Sequence, residues 1–436
     1  MIAPSPLALR LLAGLTIALL LAPFVPALPA LVLAADAGLA LAVGLEGAML
    51  RRRPPLRVSR RLPERAERGK ALAYGFEVEN PSQAPLLVEG SELADADLGA
   101  CADPIRLAVS PGGRATVERR LLPARRGTRR LGPARLTCRR PFGLAELRLE
   151  AAAESLVVAP SLAPARRAEL ALATARASSA GVHRLRMLGT GREFDRLRDY
   201  VPGDDVRHVD WRATARRRFP VTRVFRAERE QNVLLCIDTG RLMGSREGDM
   251  TRLDAAVEAA LALSAAAQRN GDRVGLLTFD DEPRLYLPPH RGAVHSRRIL
   301  EALSEVEARR TAADPQVLVD TVRSRCRQRS LVVVVTDALD EQEGRQLVSA
   351  LPSLSPPHVA VVVFFREDTL AELAQTPPGS KEAAHVALAA RDLLEERRRT
   401  ILGLRKRGLR AVEAGRSDLA AVLLSSYLEI KNRQVL

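Results

Sequence analysis

Two stretches constrain this chain more than any others: "VLLCID" at Val233–Asp238 and "SLVVVVTD" at Ser330–Asp337. Each is apolar through its centre without alternation, and each ends in an acid. A strand with one wet face alternates apolar and polar residues, whereas an unbroken apolar run belongs to a strand covered on both faces. Between the two runs, Arg252–Gly271 carries a helical pattern stopped by Gly271. Arg273–Phe279 and Pro283–Pro289 flank a turn at Asp280–Glu282 and predict a hairpin. Helices are expected around Ser296–Ala308, Pro315–Gln328 and Glu341–Ala350, strands at His358–Phe365 and Leu409–Ala414, and a last helix from Asp418. This alternation predicts an α/β domain over residues 231–436, a doubly wound sheet with helices on both faces. Ligands of such sheets bind beyond the carboxyl ends of the strands, at the topological switch point. Asp238 and Asp337 both end there. A carboxylate pair at one sheet edge suits Mg²⁺, a hard cation that takes oxygen ligands. The same acids also serve as helix caps and turn formers.

The other end of the chain is different in kind. Leu11–Ala35 contains no charge, and a second apolar run continues to Leu50, interrupted by Asp36 and Glu46. Leu7–Val25 and Leu28–Leu50 each approach the roughly 20 residues that span a bilayer. Pro23, Pro26 and Pro29 break any single long helix and predict a tight turn. The Arg51–Arg53 cluster then places the following chain in the cytoplasm. Residues 1–53 are therefore read as a two-helix membrane anchor. A cleavable signal is the rival, since "LVLAADA" offers small residues, but the apolar stretch runs on past that point. Asp36 is costly at mid-membrane, about 2.5–3.5 kcal/mol on insertion scales.

Residues 54–160 hold short runs with period-two character, among them "ALAYGFEVEN", "RATVERRLLPA" and "SLVVAP". Asn80-Pro81, Pro111-Gly112-Gly113 and Gly132-Pro133 supply turns between runs, and the spacing predicts a small β-sandwich. An Ala/Arg-rich linker and a dense polar segment fill residues 161–230.

Several function classes drop out. Cys101, Cys138, Cys236 and Cys326 are widely spaced, so neither a zinc site nor a disulfide framework is expected. The six histidines are isolated, and no G-x-S-x-G, P-loop or G-x-G-x-x-G is present. The net charge of +15 invites a nucleic-acid reading, but the Arg residues are dispersed and interleaved with acids, so nucleic acid is not the expected partner.

The strand-and-acid pattern resembles the von Willebrand factor A-like fold. In that family an Asp and two Ser of a D-x-S-x-S motif, with a Thr and the Asp of a "TD" pair, hold a metal that recruits a partner's carboxylate. Here Asp238 matches the first Asp and Thr336-Asp337 the pair, but Gly240 and Leu242 stand at the Ser positions. Thr311 is the candidate for the intervening Thr. The resemblance thus implies a degenerate site at Asp238, Thr336 and Asp337.

"GREFDRLRDYVPGDDVRHVDWRATARR" (Gly191–Arg217) holds the only Trp of the chain. It resembles the hallmark of the bacterial domain-of-unknown-function family number 58, at Gly191, Glu193, Phe194, Leu197, Arg198, Tyr200, Gly203, Asp204, Asp205, Arg207, Asp210, Trp211, Ala215 and Arg216. Glu228 or Glu230, Asp238–Met243 and Arg125–Leu144 extend the resemblance. It implies a membrane-anchored, cytoplasm-facing von Willebrand A-like protein paired with a MoxR-type AAA+ ATPase, an adaptor or assembly factor for an unknown client rather than an enzyme. Physically, Pro202-Gly203-Asp204 forms a turn and Asp205–Arg216 a short helix that sets Trp211 against the sheet. The segment serves either as a packed clasp or as a docking surface, since Trp and Arg anchor interfaces. The alternative function is a metal-dependent hydrolase using Asp238, Asp337 and the acids Asp204, Asp205 or Asp210.

Overall fold

The computed structural model describes residues 2–21, 27–52, 56–99, 103–141, 143–163, 166–167, 170, 193–202, 204–226, 230–247, 250–338 and 340–432. Cys101, Gly191, Gly203, Glu228 and the prolines at 23 and 26 lie outside these residues. The chain divides into two compact units, Met1–Ala159 and Pro160–Leu436.

The first unit opens with a short strand, β1 (Ile2–Pro4), followed by helices α1 (Pro6–Ala18) and α2 (Leu28–Arg52). Of the span expected at Leu7–Val25, the described residues form a 13-residue helix extended by one 3₁₀ turn at Leu19–Leu21, and residues 22–25 lie outside the described residues. Leu28–Leu50, with mean hydropathy 2.0, is long and apolar enough to cross a membrane. Nine strands follow: β2 (Arg57–Arg61), β3 (Arg65–Glu67), β4 (Leu72–Glu79), β5 (Leu86–Ala94), β6 (Ile105–Val109), β7 (Arg114–Leu121), β8 (Gly127–Arg139), β9 (Ala145–Ala151) and β10 (Glu154–Ala159). They form two sheets, β2-β4-β7 and β1-β9-β8-β10-β3, with β5 joined to β8 and β6 to β5. Alternate residues such as Phe76, Val78, Val88 and Leu136 fill the core between them, as period-two patterning requires.

The foot of the helical pair is built into this sandwich. β1 pairs antiparallel with β9, Ile2 opposite Leu147. Ser5 is fully buried and caps α1 at the Ala8 amide. Glu46 Oε2 accepts from the Leu144 and Ala145 amides at 2.6 and 3.2 Å, and Leu50 belongs to the sandwich core. The acid that interrupts the second apolar run therefore satisfies two backbone donors of the sandwich.

The second unit begins with an antiparallel ribbon of β11 (Glu193–Asp199) and β12 (Val221–Arg226), with a short helix α3 (Trp211–Arg217) between them. β13 (Asn232–Asp238), a two-residue ribbon of β14 (Arg246–Glu247) and β15 (Met250–Thr251), and helix α4 (Arg252–Arg269) follow. Thr251 and Asp254 close a capping box at the start of α4. Next come β16 (Arg273–Phe279), β17 (Pro283–His290), α5 (Ala293–Glu305), α6 (Pro315–Arg325), β18 (Ser330–Val335), α7 (Glu341–Ala350) and β19 (Val359–Phe365). The chain ends with α8 (Asp368–Gln375), α9 (Lys381–Lys406), β20 (Arg410–Ala414) and α10 (Leu419–Asn432).

The large sheet has the order β17-β16-β13-β18-β19-β20, parallel throughout except for edge strand β17. Val233, Leu235 and Ile237 enter one core with α4 and α10, while Leu234 and Cys236 enter the other with α6 and Leu404 of α9. That division explains the unbroken apolar run, because both parities of the strand are buried. This is the von Willebrand A-like arrangement expected from the sequence. The strand order reverses on either side of β13, so Asp238 and the residues after β18 meet at the switch point.

Candidate functional site

Asp238 ends β13 and is 2 % exposed. Its Oδ1 accepts from the Gly240 amide and its Oδ2 from the Thr336 hydroxyl, both at 2.6 Å. Burial pushes its carboxyl up to about 7; the two hydrogen bonds oppose that rise, and the charge of Asp337 adds to it. The neighbouring Asp337 faces elsewhere. One of its oxygens takes Arg397 Nη2 at 2.6 Å, the other pairs with Arg252, and the Ala338 amide donates at 3.0 Å. Arg252 also pairs with Glu367, and Arg397 Nε donates to Glu413 at 2.9 Å. Two buried guanidinium groups from α4 and α9 thus hold the acids that follow β18 and β19. Burial raises the carboxyl of Asp337, and Arg397 and Arg252 work against that rise.

Does this edge fit the divalent cation that the fold implies? Gly240 leaves no hydroxyl, and a Cβ there would sit 3.0 Å from Asp238 Oδ1 and from the Ala313 nitrogen. Both oxygens of Asp337 are held by arginines, whose charge would repel a cation. The crevice lined by Asp238, Gly240, Leu242, Ala313, Thr336 and Leu347 has a volume of ≈ 20 Å³, room for a water or two. Arg241 leans over its mouth onto Glu343 at 2.7 Å. Thr311 contributes its carbonyl to the Arg241 amide, and its buried hydroxyl meets no partner. Among the described residues no group of three or more His, Cys, Asp or Glu is placed to hold a metal ion. The residues present do not fit a hydrated Mg²⁺ that prefers near-octahedral oxygen ligands. A third strand-end acid, Asp280 after β16, is likewise occupied: burial works against its charge, yet two bonds from Arg284 Nε at 2.8 and 2.9 Å hold it down at about 2.

The family-hallmark segment is the second candidate. Its alternating charges build a hairpin. Arg198 Nη2 donates to Asp204 at 2.6 Å, and the Val201 amide donates to the other oxygen of Asp204. Asp205 caps a 3₁₀ turn at Val206–His208 through the Arg207 amide. Asp210 caps α3 at the Ala213 amide, and Arg223 Nε donates to it at 2.8 Å. The Val201 amide, and then Arg198, hold Asp204 below the usual carboxylate range, and the Ala213 amide and Arg223 do the same for Asp210. Val209, Val221 and Thr222 are buried in the hairpin's own small core.

Other residues of the segment point outward. Trp211 is 68 % exposed, contrary to its expected place against the sheet, and Phe219 is 71 % exposed. The reason lies in the cap: Asp210 starts the helix, so Trp211 occupies its first position on the solvent side, and α3 packs on β12 through Thr214, whose hydroxyl takes the Val221 amide at 3.0 Å. Arg207, Arg216 and Val206 are exposed as well, and Tyr200 is half-buried. Glu193 and Phe194 lie in β11, opposite Arg226 and Phe225; their side chains, like Gly203, fall outside the described residues.

The structure brings Asp238 and Thr336 together at the sheet edge and turns Asp337 away to its arginines. Asp204, Asp205 and Asp210 are used inside the hairpin. Sequence reasoning missed Arg252, Arg397, Glu367 and Glu343, which carry no local signal, and Phe219, which follows directly on the quoted motif.

Residues 196–396 match a family model described as "Protein of unknown function DUF58". An uncharacterized protein of Mycobacterium tuberculosis H37Rv is 30 % identical over 153 residues, 35 % of this chain and 48 % of the relative; an uncharacterized protein of Mycobacterium bovis matches to the same extent. The chain spans about half the length of these relatives. Two solved structures are similar to it: an aerotolerance-related membrane protein from Bacteroides fragilis, 14 % identical over 47 % of this chain and 99 % of that one, with a TM-score of 0.31, and the conserved hypothetical protein BatB from Bacteroides thetaiotaomicron, 14 % identical over the same shares, with a TM-score of 0.30. The assignment of the fold rests on the strand order itself.

Proposed function

We propose that this chain, a DUF58 protein through residues 196–396, is a membrane-anchored interaction module that works with a MoxR-type AAA+ ATPase on a client protein. The observation that carries the reading is the exposure of Trp211, the sole tryptophan, at the tip of a hairpin whose Asp204 and Asp210 are engaged in holding its shape. Trp and Arg are enriched at interface centres, and here an exposed Trp stands beside the exposed Arg207, Arg212 and Arg216. The sheet edge supports the same reading, because Asp238 and Asp337 are committed to hydrogen bonds and ion pairs and the crevice beside them has room for only a water or two.

The anchor is a two-helix hairpin in the inner membrane, with the later domains in the cytoplasm. Support comes from β1 and β2 belonging to the same sandwich, so the chain before α1 and the chain after α2 lie on one side. The arginines at the end of α2 agree with a cytoplasmic side.

The test is affinity purification from mildly solubilised native membranes, with and without Mg²⁺, followed by mass spectrometry. Wild type is run beside Trp211→Ala and Asp238→Ala, each checked for folding by circular dichroism. The expected result is an AAA+ ATPase that co-purifies with wild type and is lost with Trp211→Ala. Recovery of the protein alone from every preparation overturns the partnership.

A further inference from the structure

We infer that the hairpin tip recognises an acidic protein surface with an apolar recess; the inference rests on the interaction role proposed above and names its chemistry. Trp211 is the first residue of α3, which is roughly 10 Å long, and Phe219 follows the left-handed C-cap Arg218 beyond its other end. Arg212 and Arg216, four residues apart, share one face of the same helix and are both exposed, and Arg207 is exposed on the adjoining turn. The two aromatic side chains supply apolar contact area, and the guanidinium forks supply bidentate geometry for carboxylates.

The acids of the segment do not cancel this charge. Asp204 is paired with Arg198 and Asp210 with Arg223. Arg207, Arg212 and Arg216 are therefore exposed basic groups beside and between two exposed aromatics, and Trp with Arg is the composition of an interface hot spot. An anionic membrane surface is the competing occupant, but the pattern disfavours it. Asp205 is exposed beside Arg207, and the Asp199 side chain is 81 % exposed at the hairpin. A uniform sheet of lipid phosphates would meet those carboxylates with like charge, whereas a protein surface can match a mixed pattern.

The single tryptophan makes the tip its own reporter. The full chain is placed in nanodiscs of neutral phosphatidylcholine, and Trp211 emission is followed on adding an amphipathic helical peptide with Glu on one face and Leu on the other. Parallel samples receive the Gln-for-Glu peptide, or use nanodiscs containing phosphatidylglycerol. The expected result is a saturable blue shift with the Glu peptide only, weakened at least about tenfold in the Arg212→Glu/Arg216→Glu double variant and reduced by salt. Phe219→Ser weakens binding without removing the reporter. An unchanged spectrum, or an equal response to the Gln peptide, overturns the acidic partner. A shift produced by phosphatidylglycerol alone assigns the tip to lipid and overturns it too. If the ATPase co-purifies in a Trp211-dependent way while the peptide has no effect, the interaction role stands and only this chemistry falls.

Discussion

Asp238 is an acid in a place where its charge is disfavoured, and that has a measurable sign. Its carboxyl is raised to about 7 in the folded protein and is ordinary when unfolded. Between about pH 4 and 7 the folded state therefore binds the extra proton. Stability contributed by this group falls as pH rises through that window, and is level above it. Asp238→Asn keeps an oxygen for the Gly240 amide and removes the titration. The variant is expected to lose the slope and to be more stable than wild type at pH 8, with a ceiling of about 4 kcal/mol set by the size of the shift. Urea melts at pH 5 and pH 8 check it; a wild-type stability that rises across this interval, with Asp238→Asn behaving identically, contradicts the assignment. Arg397 presents the opposite case. Arg397→Met leaves Asp337 and Glu367 sharing Arg252 alone, with a loss of about 3–5 kcal/mol expected on breaking a buried pair. Adding Asp337→Asn to it should recover part of that loss, measured by the same melts. The sequence marks Asp238, Thr336 and Asp337 because each lies at a strand end. It is silent about Arg252 and Arg397, because they reach Asp337 from 85 and 60 residues away and look like any other arginine of an Arg-rich chain.

At the scale of elements, patterning is informative where burial is two-sided and misleading where charge is dense. The central strands β13, β16, β18 and β19 are legible because nearly every residue in them faces a core. The ribbon β11–β12 is not, because a two-stranded hairpin with one small core needs only Val209, Val221 and Thr222 to be covered. Its acid–Arg alternation cross-links the hairpin itself, through Arg198–Asp204 and Arg223–Asp210, and has neither the period of a helix nor that of a strand to mark it in the sequence. The caps make a prediction here. Asp210→Ala removes both the Ala213 cap and the Arg223 pair, so α3 should fray and the near-ultraviolet circular dichroism of Trp211 should weaken, while the melting of the large sheet is unchanged. Because Asp204 and Asp210 are held below the ordinary carboxylate range, their support is full above that range and lost as pH falls through their lowered values. Acid titration of wild type should therefore reproduce the Asp210→Ala signal. A tip signal that survives to pH 2 would show that the caps do not hold the hairpin.

For the whole molecule, the open question in the sequence is how many times the chain crosses a membrane, and hydropathy alone does not separate one span from two. α1 is 13 residues, about 20 Å of helix, short of a bilayer core unless the 3₁₀ turn at Leu19–Leu21 continues it. β1 instead supports the two-helix hairpin proposed above. A strand at Ile2–Pro4 cannot pair with Ala145–Leu147 unless it lies on the side of the membrane where the sandwich folds. On the anchor proposed above, Glu46 sets the boundary: since it binds the Leu144 and Ala145 amides, a membrane-embedded part of α2 would end before it, and Leu28–Leu45 at 1.5 Å per residue gives roughly 27 Å. Single cysteines make this testable. Cys101, outside the described residues, is replaced by Ser throughout; Cys138, Cys236 and Cys326 are free and buried, so they supply little background. In intact spheroplasts treated with a membrane-impermeant maleimide, Leu20→Cys, between the helices, should label. Ile2→Cys and Lys70→Cys should label only after permeabilisation. Labelling of Ile2→Cys from outside with Lys70→Cys still protected would mean that β1 and the sandwich lie on opposite sides, which the antiparallel pairing forbids, and labelling of both from outside overturns the cytoplasmic placement. Glu46→Ala should leave the labelling of Leu20→Cys unchanged while increasing protease cleavage near Gly143, because it loosens the sandwich from its anchor without altering the span.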